Sequence, residues 1–172
     1  MEQRSVLIKV VKYAMIAAIY AATSLALAPI SFGGVQFRVS EALTLLPVIM
    51  PEAVIGVTIG CAITNGIGAM LGVNILGILD IFVGTLATFI AAMMTLKLKD
   101  VRWKNIPFIA AVPPILVNAI FIGAELAFAL GDGFQWSLFY AMALSVGVGQ
   151  FFACFLLGLP LVKQLEKVKW KK

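Results

Sequence analysis

Six apolar runs follow one another along the chain: Tyr13 to Pro29, Ala42 to Met50, Ala53 to Met70, Ile75 to Leu96, Ile106 to Leu130 and Trp136 to Val162. Most reach the roughly 20 residues that a helix needs to cross the hydrocarbon core of a bilayer, and the second is too short to do so alone. The pattern predicts an all-α integral membrane protein of six transmembrane helices. At 62% hydrophobic and 12% charged residues, the chain lies outside the range of soluble globular domains. Pro29, Pro47, Pro51, Pro107 and Pro160 fall near run ends, and Gly33-Gly34 and Gly131-Asp132-Gly133 mark loops. No linker or low-complexity tract divides the 172 residues, so residues 1–172 read as a single membrane-embedded domain.

Basic residues orient the runs. Arg4, Lys9 and Lys12 precede the first helix, Lys97, Lys99, Arg102 and Lys104 lie between the fourth and fifth, and Lys163, Lys167, Lys169, Lys171 and Lys172 follow the sixth. Six crossings put all three groups on one side, and the positive-inside rule places both termini in the cytoplasm. The net charge of +5 is then a topology signal matched to anionic inner-leaflet lipid, with no nucleic-acid partner implied. Arg38 alone stands apart from these groups. Ala26-Leu27-Ala28 has the spacing of a signal-peptide cleavage site, but Pro29 directly after it and the length of the apolar run argue against cleavage. Cys61 and Cys154 sit inside apolar runs as small hydrophobes; without histidine or a CxxC motif, no metal site and no cofactor are expected.

That topology assigns a depth to each polar residue. The third helix carries Asn65 near its outer end, the fourth carries Asn74 and Asp80 in its outer half, and the fifth carries Asn118 near its middle with Glu125 one heptad later on the same face. On the sixth, Trp136, Tyr140, Ala143, Gly147 and Gln150 form one stripe. The stretch GVQFRVSEALTLLP, Gly34 to Pro47, adds Gln36, Arg38 and Glu41. Its alternation over Val35 to Val39 predicts an extended segment, and Ser40 is placed to cap a short helix from Glu41. A helix of about ten residues rises only about 15 Å, so the preceding loop is expected to dip to mid-depth.

These groups converge on an outer-half cavity with one cation, Arg38, against Glu41, Asp80 and Glu125. Ionisable groups in hydrocarbon are costly and are kept mainly where they serve a function. The cavity suits a small, flat, donor-rich or cationic solute. Structural roles remain open for the same residues: a salt-bridged plug for Arg38 and Glu41, an interfacial belt for Trp136 and Tyr140, a helix cap for Asn74, and interhelical hydrogen bonding for Asn65 and Asn118. There is no phosphate-binding loop, no metalloprotease or serine-nucleophile motif and no evident inverted repeat, which points to a non-enzymatic component that needs help to transport. Ala14, Ala18 and Ala22 repeat every fourth residue on the first helix, beside Ala17 and Ala21, and offer a close-packing face for a partner helix.

The segments FRVSEALTLLPVIMPEAVIGVTIGCAITN, LGILDIFVGTLATFIAA and PPILVNAIFIGAEL resemble the QueT family, the substrate-binding S components of energy-coupling factor (ECF) transporters for queuosine precursors. FRVSEAL, Asp80-xxx-Gly84-Thr85 and Asn118-x6-Glu125 carry the likeness, which covers nearly the whole chain. It implies an S-component bundle of six helices in a prokaryotic plasma membrane, with an outward-facing pocket capped by the first loop. The pocket would take a 7-deazaguanine through Gln36, Arg38, Glu41, Asn65, Asn74, Asp80, Asn118, Glu125, Trp136, Tyr140 and Gln150. Ala14, Ala18 and Ala22 would dock a transmembrane coupling subunit, and two cytoplasmic ATPases would power the complex while the loaded component topples inward. Glu125 is expected at the guanine edge, with Asp80 or Glu41 for an amine. An S component for another vitamin, or a structural membrane subunit, is the alternative.

Overall fold

The computed structural model describes residues 2–33 and 36–168. Gly34, Val35, Lys169, Lys171 and Lys172 therefore lie outside the described residues, and with them part of the expected extended segment and of the C-terminal basic group.

Every regular element among the described residues is helical. Helix α1 spans Glu2–Ala26, α2 Ala28–Ser31, α3 Ala53–Met70, α4 Leu79–Lys97, α5 Val112–Leu130, α6 Trp136–Phe151 and α7 Leu159–Lys167. A 3₁₀ helix, Val39–Val48, precedes α3; a 3₁₀ turn, Ile109–Ala111, leads into α5; and a π-helical stretch, Phe152–Gly158, joins α6 to α7. Five helical segments are long and apolar enough to cross a membrane, the last being the continuous rod Trp136–Lys167. The remaining apolar run is the ten-residue 3₁₀ helix.

Sequence and structure differ at several boundaries for identifiable reasons. The fourth helix starts at Leu79 rather than Ile75 because Asn74 accepts a hydrogen bond from the Leu76 backbone N–H at 3.1 Å, folding the chain into a turn before the helix begins. Asn74 is thus not the cap of α4. Ser40 does not cap a helix at Glu41 either: its hydroxyl pairs with Ser24 Oγ at 2.6 Å, which ties the start of the 3₁₀ helix to α1. At the fifth run, Trp103 and Ile106 exchange two backbone hydrogen bonds of 3.0 Å and take the first residues into a turn. In the last, Pro160 lacks an N–H for the preceding turn, and the ladder widens to π geometry just before it.

The 3₁₀ helix is mostly apolar, with Ser40, Glu41 and Thr44 as its buried polar residues, and runs inside the bundle against α1, α3, α4 and the π stretch. At about 2 Å rise per residue, ten residues advance about 20 Å, so this tighter winding carries a short run further through the protein than an α-helix would. Leu46 joins Ile16, Tyr20, Val54, Val57 and Ala92 in one core cluster, and Leu45 and Val48 join Cys154, Leu159 and Val162 in another. Helices α1 and α3 come together at Gly60, where a Cβ would stand 3.1 Å from the Ala17 Cα and 2.8 Å from the Tyr20 Cβ. No larger residue fits that crossing.

Gly56 packs against Tyr13 and Ile16 and Gly60 against Ala17 and Tyr20, so α1 and α3 run parallel, with the buried 3₁₀ helix returning the chain between them; Met50, Leu96 and Leu165 share one cluster, which draws the described basic residues other than Arg38 toward one end. Arg102, after α4, bonds Glu166 of α7 at 2.7 Å, and Lys12 of α1 bonds Glu52 before α3 at 3.3 Å. The first turn of α4 and the last turns of α5 occupy the opposite end, and there the polar residues collect.

Candidate functional site

Asp80 lies in the first turn of α4 with no exposed surface. Its Oδ2 accepts from the Arg38 guanidinium at 2.7 Å and from Asn74 Nδ2 at 2.9 Å, and its backbone carbonyl accepts from Asn65 Nδ2 at 2.8 Å. One residue thereby connects the segment before the 3₁₀ helix and the α3–α4 turn, through its carboxylate, and α3, through its backbone carbonyl. The geometry depends on Gly84, one turn along α4: a Cβ there would collide with Asp80 Oδ1, so the carboxylate folds back over bare backbone. Arg38 is further fixed by donating from Nε to the Ser31 carbonyl at 3.2 Å and by lying over the Phe32 ring, 5.1 Å from its centroid.

Glu41, in the first turn of the 3₁₀ helix, is also fully buried. The Tyr20 hydroxyl donates to Oε1, and Asn118 Nδ2 donates to Oε2 at 3.2 Å. Between these two anchored groups lies an enclosed cavity lined by Gln36, Arg38, Glu41, Thr88, Asn118 and Gln150, with Gly84 in one wall and Ile122 and Val146 in another. Its volume is about 10 Å³, room for about one water. Gln36 reaches the cavity from a backbone φ of 44°, a conformation that side-chain-bearing residues seldom hold. Among the described residues its buried Nε2 has no hydrogen-bond partner, and neither have Asp80 Oδ1 and Asn65 Oδ1.

Of the residues singled out in the sequence, Gln36, Arg38, Glu41, Asn118 and Gln150 line one cavity, and Asp80, itself bonded by Asn74 and Asn65, holds Arg38 in place. Glu125 is buried nearby but does not line that cavity. It borders a groove of about 380 Å³ between α4 and α5, with Leu79, Val83, Phe121 and Phe128 around it. Ile122, one turn before Glu125, packs with Leu76, Leu126 and Val146 into an apolar cluster beside the cavity. Trp136 and Tyr140 are each 65% exposed and stack with ring centroids 6.2 Å apart, beside Phe134 and Phe139. They form an aromatic patch on the outside of the bundle, as an interfacial belt does.

Two contributors escaped the sequence reading. Tyr20 lies within the first apolar run, and its hydroxyl, one turn before the buried Ser24, is the signal that pointed inward. Thr88 follows Asp80 by eight residues with Gly84 midway, which places all three on one face of α4. On α1, Ala14, Ala18 and Ala22 are exposed, whereas Ala17 and Ala21 are buried toward α3. Ala14 and Ala18 border an open apolar groove of about 500 Å³ with Ile59 and Ile63 of α3.

Comparison with known proteins adds a family to this geometry. The family model described as QueT transporter matches residues 10–167. No curated protein and no solved structure matches the chain.

Proposed function

Because the chain belongs to the QueT transporter family, we propose that it is the S component of an ECF importer and binds a queuosine precursor of the 7-deazaguanine type in the cavity between Arg38 and Glu41. The protein is a multi-pass membrane transporter component, and its family points away from an enzyme. The observation that carries the substrate proposal is the buried polar lining. Glu41, Arg38, Gln36, Asn118 and Gln150 come from three separate parts of the chain and meet around one small space. Interior ionisable groups held this way are costly unless they serve a ligand.

The deazaguanine edge presents a ring N–H and an exocyclic amine beside a carbonyl. Glu41 supplies the acceptor for the first two, with Tyr20 and Asn118 fixing its plane, and Gln36 or Arg38 supplies the donor for the carbonyl. The geometry favours Glu41 over Glu125 at this edge. A cavity of about 10 Å³ holds no bicyclic ring, so Gln36, whose Nε2 is not tied to another described group, gives way when the ligand binds. The positive-inside rule, applied to the end that carries Lys12, Lys97, Lys99, Arg102, Lys163 and Lys167, puts both termini in the cytoplasm and the cavity toward the outside.

Docking of a coupling subunit with its two ATPases is assigned to the Ala14, Ala18 and Ala22 face, where small side chains remain uncovered. Mass spectrometry of small molecules released from the purified protein tests the substrate. A deazaguanine supports the proposal; thiamin, biotin or another vitamin replaces the substrate while leaving the transport role; no stoichiometric solute favours a structural subunit.

A further inference from the structure

Among the charged groups at this end of the bundle, Glu125 differs from the rest. Asp80 has Arg38 and Asn74, and Glu41 has Tyr20 and Asn118. Glu125 is only 5% exposed, yet among the described residues neither carboxylate oxygen has a hydrogen-bond partner. Arg38, the one cation among the described residues at this end of the bundle, is committed to Asp80 and to the Ser31 carbonyl. Buried carboxylates in a membrane protein ordinarily have a partner, and a buried one without any calls for an explanation.

The surroundings narrow what that partner is. Glu125 borders the α4–α5 groove, whose other walls are apolar and include the aromatic rings of Phe121 and Phe128. A metal ion would need several oxygen, nitrogen or sulfur donors, and no group of three acidic, histidine or cysteine side chains occurs among the described residues. An organic ammonium needs one carboxylate and tolerates aromatic and aliphatic walls. Its charge also suits the region, where three carboxylates face one arginine. Along α5, Glu125 stands three residues beyond Ile122, a rise of about 4.5 Å, and Ile122 lines the enclosed cavity. A flat ring in that cavity with a short amine-bearing arm therefore spans the two places.

We propose that Glu125 is the specificity-determining residue for an ammonium group carried on the solute, with the ring held between Arg38 and Glu41 and the arm directed past Ile122 to the α4–α5 groove. The assignment rests on the deazaguanine proposal above and adds to it a preference for the cationic member of that class. The arm displaces the apolar contact around Ile122 and supplies the donors that both Glu125 oxygens lack.

The test compares two probes that differ only in the arm, 7-aminomethyl-7-deazaguanine and 7-cyano-7-deazaguanine, by calorimetry on the purified full chain. The wild type should bind the amine at least about tenfold more tightly than the nitrile, the size expected for one charge-assisted hydrogen bond. Glu125→Gln should remove that preference by weakening the amine alone, leaving the nitrile affinity unchanged. Equal weakening of both probes, or no preference in the wild type, overturns the assignment while the deazaguanine proposal stands. Failure of the wild type to bind either probe overturns both. Glu125→Leu supplies a second readout: because the carboxylate has no partner, its melting temperature without ligand should equal or exceed that of the wild type. A clear drop would mark Glu125 as a structural residue and sink the proposal.

Discussion

The cavity beside Glu41 and the groove along α1 are opposite kinds of surface. The cavity is polar, enclosed and almost without free volume, and its charged groups are clamped by Asp80, Tyr20 and Asn118. The α1–α3 groove is apolar, open and broad, and its floor is made of alanines. In lipid there is little hydrophobic gain from covering apolar surface, so a small-residue groove matters for how closely another helix can approach. Under the proposed function, the contrast would separate recognition of a solute from attachment to a partner, and each would have its own mutational signature.

The largest effect is expected at the ion pair. Arg38→Met leaves Asp80 buried and uncompensated, which costs about 3 to 5 kcal/mol when one member of such a pair is removed. Thermal unfolding in detergent should show a large fall in melting temperature, and solute binding should be lost. Arg38→Met with Asp80→Leu should recover much of the stability and none of the binding. Recovery of both would make the pair a structural plug.

On the other side, Ala18→Leu should abolish uptake and co-purification with a coupling subunit while leaving solute affinity nearly unchanged. Ala17 cannot serve as a neutral comparison, because it is buried against Gly60. Ala17→Leu overpacks that crossing at a cost of about 1 to 3 kcal/mol and should lower the melting temperature. Normal uptake in Ala18→Leu would remove the docking role from this face.

A smaller effect belongs to Tyr20→Phe, which deletes the donor to Glu41 and keeps the ring. Hydrogen bonds to charged groups contribute about 1.5 to 3 kcal/mol, so affinity should fall about tenfold or more, and co-purification with the partner should persist. Smallest is Glu52→Gln, which removes a half-exposed pair with Lys12 worth at most about 1 kcal/mol. Hydrogen bonding to its own backbone, then Lys12, holds the Glu52 carboxyl below its ordinary range. A depressed folded-state value stabilises above the unfolded pKa of about 4.3 and is lost as pH falls through the folded value. The variant and wild type should therefore differ slightly in melting temperature at neutral pH and converge in acid.

Much of the site was legible because charge is rare here. Arg38, Glu41, Asp80 and Asn118 stood out as polar residues in apolar runs, and they do meet. Direction was harder to read. In a soluble helix the polar face marks the outside, but a membrane helix is apolar toward lipid and interior alike, so periodicity places Trp136 and Gln150 on one stripe without saying which reaches the cavity. The same ambiguity hid Tyr20, and it merged Glu125 with the other carboxylates although Ile122 stands between. The 3₁₀ geometry of Val39–Val48 had no sequence marker beyond shortness and Pro47, since burial among the surrounding helices, not propensity, sustains it.

The central claim is that the polar cavity is a solute site rather than a structural seam. Calorimetric titration of the purified chain with 7-aminomethyl-7-deazaguanine, without nucleotide or metal, tests it most directly, with Glu41→Gln measured alongside. Saturable one-to-one binding by the wild type that weakens about tenfold or more in Glu41→Gln is the expected result. Absence of binding, a requirement for ATP, or equal affinity in Glu41→Gln would contradict it.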